Sequence, residues 1–294
     1  MHSRTSSSFR VHVSRPQILK LESKMPPIID TERFGPDNDV PGVWRPVTSS
    51  VDWCESNYVV SYYVAEFANS ISNVALFIGG LFLIWTTYRL KMEKRFYVAD
   101  VVMIVIGIGS FSFHATLRYG AQLLDELPMV YLGLIGFYIA IENQPKDRFR
   151  FLPAALWIIG IVYSIAHWHY RFIGMFYAAC GILLGPAFFI PALYGLKCKV
   201  VRMAMLRTSL AFMFAITVWV LDRVFCAWIE HFYLHAWWHC GIALAGTLWI
   251  STMMFIRLHH VLKRPGIVIR YYLLVFPHVT IEEGPSDPEL AGKC

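Results

Sequence analysis

Phe67-Ala-Asn-Ser-Ile-Ser-Asn-Val-Ala-Leu-Phe-Ile-Gly-Gly-Leu-Phe-Leu-Ile-Trp-Thr-Thr-Tyr88 runs for 22 residues without Asp, Glu, Lys or Arg. As a helix it is about 33 Å long, enough to cross the hydrocarbon core of a bilayer. Six further charge-free stretches follow: Val101–Leu117, Leu127–Ile141, Phe151–Tyr170, Phe172–Leu196, Thr208–Leu221 and His231–Ile256. Three of these reach spanning length only by taking in Asp100, Asp125 with Glu126, or Asp222 with Arg223. The expected fold is therefore all-α, an integral membrane bundle of seven transmembrane helices. With 56% hydrophobic and 16% charged residues, the chain is not disordered. Six cysteines in 294 residues are too few for a disulfide-built secreted scaffold. The net charge of +6 is spread between the apolar runs, so it carries topology and predicts no nucleic-acid partner.

Lys and Arg crowd alternate loops: Arg89, Lys91, Lys94 and Arg95 in the first, Lys146, Arg148 and Arg150 in the third, and Lys197, Lys199, Arg202 and Arg207 in the fifth. By the positive-inside bias these loops and the C-terminus are cytosolic and the N-terminus is lumenal. Four divisions are expected: a flexible polar tail (1–50), a lumenal pre-helix segment (51–65), a membrane domain (66–257) and a cytosolic tail (258–294). Within the last, Tyr271–Phe276 is too short to span and reads as buried or interfacial.

Ionisable groups at membrane depth are functional candidates. Alternating helix direction places Ser110 and His114 near the lumenal end of the second helix, Asp125 near that of the third, and His235 and His239 near that of the seventh. Both Ser110/His114 and His235/His239 are i,i+4 pairs, so each projects from one helical face. A histidine pair one turn apart is a usual bidentate grip for zinc, and His114 offers a third nitrogen. Three nitrogens and one open position make the arrangement of a catalytic zinc. His231 forms an overlapping pair with His235, but it adjoins Glu230 at the helix edge, which favours the later frame. His167 and His169 read as interfacial. Asp222 and Arg223 read as a structural pair. Asp52, Glu55 and Asn57, with Glu66 further on, could form a hard-cation site or a solvated acidic turn before the helix. Cys54 and Cys226 share the oxidising lumenal side, where a disulfide would tie the pre-helix segment to the region between helices six and seven. Cys198 and Cys294 are expected as cytosolic thiols.

The blocks Asp52-Trp-Cys-Glu-Ser-Asn-Tyr58, Tyr62-Tyr-Val-Ala-Glu-Phe-Ala-Asn69, Gly109-Ser-Phe-Ser-Phe-His-Ala-Thr116, Gln122-Leu-Leu-Asp-Glu-Leu-Pro128 and His235-Ala-Trp-Trp-His239 together resemble the alkaline ceramidase family. The resemblance runs over about Val51–Arg257 and implies a seven-helix hydrolase that cleaves ceramides to a sphingoid base and a fatty acid. It implies zinc on His114, His235 and His239, with Ser110 and Asp125 as polar partners of the reaction. It also implies an activating calcium on Asp52, the Trp53 carbonyl, Glu55, Asn57 and Glu66, and a Cys54–Cys226 disulfide. The implied location is the endoplasmic reticulum or Golgi, with the lipid substrate in the bilayer and no obligate protein partner. On this reading Asp125 carries a proton from water to the leaving amine, and Ser110 donates to the developing oxyanion. Phe188, Phe189, Phe212 and Phe214 are candidates for a lipid-chain pocket. The alternative is a seven-helix signalling protein like the adiponectin and progestin receptors, with a related zinc site. The Asp52–Asn57 and Tyr62–Asn69 blocks favour the hydrolase. A proton-coupled transporter would show inverted repeats, and none is visible.

Overall fold

A computed structural model of the chain describes residues 32–33, 40–143, 149–272 and 276–282. Most of the expected N-terminal tail and nearly all of the polar C-terminal end lie outside these residues. The described helices are α1 (Phe67–Ser72), α2 (Val74–Leu90), α3 (Lys94–Thr116), α4 (Tyr119–Ile141), α5 (Leu152–Tyr170), α6 (Ile173–Gly195), α7 (Lys199–Val224), the short α8 (Cys226–Ile229) and α9 (Leu234–Phe255). α1 and α2 join through Asn73, and α9 runs on through a wide π-helical turn, Ile256–Val261. Among the described residues, seven helices are long and apolar enough to cross a membrane, α1–α2 counting as one. Three of them start earlier than the charge-free runs, because α3, α4 and α7 take their end charges into the helix.

α9 is the most enclosed span, while α5 and α6 are the least. α3 lies against α2 and α4, and α7 against α9. Without water between helices, close backbone approach at small residues supplies much of the association. A side chain on Gly109 of α3 would sit 2.0 Å from the Leu124 carbonyl oxygen of α4. One on Gly241 of α9 would sit 2.9 Å from the Ala215 methyl of α7. The outer faces carry exposed apolar residues such as Ile78, Val105, Ile158 and Val162, as lipid contact requires.

The two ends of the bundle differ. At one end the segment before α1 folds over the helix tips and buries Val51, Trp53, Tyr58 and Ala65 against Phe113 and Leu117. Leu117 holds a left-handed backbone, φ 48°, and its carbonyl accepts the Thr48 and Ser49 N–H groups. Ser50 and Gln122 bond each other twice. Residues inside the stretch read as a tail are thus fastened to α3 and α4. At the other end lie the basic loops and an antiparallel hairpin, β1 (Ile267–Tyr272) with β2 (Phe276–Ile281), in register Ile267 to Ile281. Tyr271–Phe276, read as one apolar segment, therefore belongs to two strands, with residues 273–275 outside the described set. Arg257 ties α9's end to Glu93 at 2.6 Å. Cys198, expected as a thiol, is disulfide-bonded and buried, a correction to the cysteine reading; Cys294 lies outside the described residues.

Candidate metal centre and cavity

His114 stands in the last turns of α3, and His235 and His239 in the first turns of α9. All three are buried, and one donor atom from each comes within 4.8 Å of the other two. Their ring centroids are 4.8–5.0 Å apart. Among the described residues this is the group of His, Cys, Asp or Glu that could hold a metal ion. The structure selects the later frame: His231 is 87% exposed beside Glu230.

Each imidazole is held from behind. The Glu66 carboxyl is hydrogen-bonded to His114 Nδ1 in a short contact, and His114 Nε2 has no hydrogen-bond partner. Ser72 Oγ lies 2.9 Å from the Asn69 carbonyl and 2.7 Å from His239 Nδ1. The hydroxyl has one proton and gives it to the carbonyl, so it accepts from Nδ1–H and leaves Nε2 as the electron-pair donor. His235 stacks on Trp53, with centroids 4.0 Å apart, and its backbone N–H donates to Asp222 at 3.1 Å. That bond satisfies an orphan donor in the first turn of α9.

Ser110 and Asp125 meet beside this cluster. Ser110, one turn before His114, and Asp125 face the same space, and neither Ser110 Oγ nor Asp125 Oδ1 has a hydrogen-bond partner. The absent side chain of Gly109 is what lets α4 come that near. Both residues, with His235, His239 and Trp53, line one end of a cavity of about 440 Å³. The rest of its wall is overwhelmingly apolar and extends along α3, α4, α6 and α9 as far as Ala99, Phe188 and Ile250. The four phenylalanines expected at a chain pocket divide. Phe188 and Phe212 line it with rings 5.2 Å apart, whereas Phe189 and Phe214 face outward.

The pre-helix acids are buried, not solvated. Asn57 Nδ2 donates to both Asp52 oxygens at 3.0 and 3.1 Å. Glu55 accepts the Ala68 and Asn69 N–H groups at the start of α1, at 2.7 and 2.8 Å. Glu66 accepts the Trp53 N–H at 2.8 Å. Burial pushes Glu55 up to about 7 against the pull of its backbone hydrogen bonds, and Glu66 up to about 8. Cys54 and Cys226 form the expected disulfide, which ties this segment to α8.

Four features were not read from the sequence. Asp222, assigned to a pair with Arg223, serves the His235 backbone instead, and Arg223 donates to the Tyr177 hydroxyl at 2.9 Å. Ser72 sits in an apolar run with no spacing signal. Glu66 holds His114 in addition to lying with the acidic cluster. His167, placed at the interface, is buried with Nε2 at 2.6 Å from Glu126. One cue was present for this last pair: each is an ionisable residue inside a span.

Comparison with known proteins identifies the family. The sequence profile described as Ceramidase matches residues 45–280. Alkaline ceramidase 3 of Mus musculus is 31% identical, covering 85% of this chain and 98% of its own length. Alkaline ceramidase of Arabidopsis thaliana is 32% identical over 82% of this chain and 95% of its own length. Alkaline ceramidase 1 of Homo sapiens is 29% identical over 79% and 92%. With the match running from the pre-helix segment through the final hairpin, and every residue of the histidine cluster inside it, the chain belongs to the ceramidase family.

Proposed function

We propose that the protein hydrolyses the amide bond of ceramides within the bilayer, releasing a sphingoid base and a fatty acid. The observation that carries this reading is a cluster of three buried imidazoles, two of which, His235 and His239, line a long apolar cavity. A lipid amide can reach such a site without leaving the membrane. The names of the matching relatives point the same way.

The donor set fits zinc: three imidazoles, two of them with a buried ring nitrogen that has no hydrogen-bond partner, leaving one coordination position open. His114, His235 and His239 would hold it, and when bound it supplies Lewis-acid activation of water and of the amide carbonyl. Asp125 takes the proton of the attacking water and gives it to the leaving nitrogen as the C–N bond breaks. The water oxygen ends on the acyl carbon and the proton on the amine, so the reaction balances. Ser110 donates its hydroxyl proton as a hydrogen bond to the oxygen that gains charge. The apolar wall takes up the lipid chains and excludes bulk water.

The buried oxygen donors of Asp52, Glu55, Asn57 and Glu66, with the Trp53 carbonyl, fit a hard cation, and we assign them to calcium. A divalent charge there offsets the burial cost that raises Glu55 and Glu66. It orders the pre-helix segment over the histidines without joining the chemistry. The basic residues at the opposite end of the bundle support a lumenal site and a cytosolic C-terminus, and we place the protein in endoplasmic reticulum or Golgi membranes.

The test is metal analysis of purified protein together with fatty-acid release from a panel of ceramides, for wild type and His235→Ala. We expect one zinc per chain and turnover in the wild type, with both lost in the variant. Zinc-loaded wild type that releases no fatty acid from any ceramide would remove the proposal.

A further inference from the structure

The chemistry above leaves one carboxylate of the cavity wall unused. Glu126 follows Asp125 in α4, lines the same cavity and is 5% exposed. Its carboxylate is braced on both oxygens. Gln122 Nε2 donates to Oε1 at 2.8 Å, and His167 Nε2 lies 2.6 Å from Oε2. The braces are themselves anchored. Gln122 is bonded to Ser50, and the His167 carbonyl accepts the Tyr119 hydroxyl at 3.0 Å. A carboxylate held in this way keeps one orientation and only accepts. Each oxygen has capacity for one more donor than it receives. Such a group is expensive in an apolar wall and is a functional candidate unless it has a structural task alone. Bracing α4 to α5 does not require the carboxylate to border the cavity.

Ser110 and Asp125, beside it, are occupied with the amide. A ceramide carries hydroxyl groups on the sphingoid carbons next to its amide nitrogen, and these are donors at the right chemical distance from the scissile bond. Resting on the ceramide-hydrolysis reading, we propose that Glu126, oriented by Gln122 and His167, accepts a hydrogen bond from a sphingoid hydroxyl and makes the site select hydroxylated N-acyl amines over plain N-alkyl amides. An amide lacking the hydroxyls leaves a desolvated acceptor without a donor, which is how a polar contact discriminates more strongly than apolar fit.

The experiment compares kcat/KM for a ceramide with that for an N-acyl alkylamine of equal chain lengths and no hydroxyl group, using full-length protein in nanodiscs. Wild type should prefer the ceramide by roughly ten- to a hundredfold, the range set by one unpaired buried acceptor. Glu126→Ala should bring the ratio to within about threefold, through loss on the ceramide while the alkylamide rate holds. A retained alkylamide rate also certifies that the variant is folded. If that variant does not fold, Glu126→Gln decides: a ratio lowered about fivefold or more supports the assignment, and an unchanged ratio overturns it. Equal wild-type rates on both substrates, or a full preference kept in Glu126→Ala, overturn it while leaving ceramide hydrolysis intact. Wild type that cleaves neither amide defeats the functional reading instead.

Discussion

Replacing Gly109 by Ala should disable the protein without emptying its histidine cluster. The new methyl would lie 2.0 Å from the Leu124 carbonyl oxygen and 2.5 Å from its carbonyl carbon, where ordinary contact begins at 3.4 Å. Both obstacles are backbone atoms, so no side chain can turn aside. α4 must retreat from α3 by about 1.4 Å, and Asp125 is the next residue along it. Overpacking of this size costs about 1–3 kcal/mol of stability. Moving a proton carrier by about 1 Å from its partners costs on the order of a hundredfold in turnover. The histidine cluster should be untouched, because His114 is on α3 and the other two are on α9. The assay is fatty-acid release at saturating ceramide, run beside metal analysis and thermal unfolding. Gly120→Ala is the control, since an added methyl there meets nothing within 4 Å. It should leave all three readouts unchanged. Gly109→Ala with turnover within about threefold of wild type would refute the claim that this contact positions Asp125.

Other outcomes follow from the same geometry. Ser72→Ala removes the hydroxyl that fixes His239, and zinc affinity should fall roughly ten- to a hundredfold in chelator competition; unchanged affinity would mean that the tautomer is set elsewhere. Exchanging Cys54 and Cys226 for Ser opens a 172-residue link and should lower stability by roughly 2–5 kcal/mol, read by denaturation of detergent-solubilised protein with and without reductant. His278 on the C-terminal hairpin is held below its ordinary 6.5 by burial and by Arg89. Docking therefore favours the neutral ring, and its contribution is present above pH 6.5 and lost as pH falls through the lowered value. Protection factors for amide hydrogen exchange in Ile267–Tyr272 and Phe276–Ile281, taken relative to the intrinsic rate at each pH, should fall on acidification from pH 7 to about 5 in wild type and less in His278→Phe.

The number of spans was legible because hydropathy is a property of each stretch taken alone. The common depth of His114, His235 and His239 was legible from alternating helix direction, and the shared face of the last two from their four-residue spacing, while the expectation that they meet rested on the resemblance to the alkaline ceramidases. Rotation was the missing quantity elsewhere. Phe188 and Phe189 are adjacent, yet one faces the cavity and the other the outside. Glu126 reaches His167 only because of how α4 and α5 are turned toward each other. Asp222 acts through the backbone of His235, for which residue types give no sign. The hairpin at residues 267–281 was hidden because its strands are apolar without strict alternation and follow directly on a span.

Trp53 and Ser72 lie before and within the first span, and the two histidines they brace, His235 and His239, belong to the last one. A ribosome must therefore reach the last membrane span before either of these imidazoles exists, although His114 can already meet Glu66 once α3 is made. Partly inserted nascent chains cannot attack surrounding lipid, and truncation anywhere before α9 yields an inert protein rather than a weakened one. Competence arrives in a single step at the end of biogenesis.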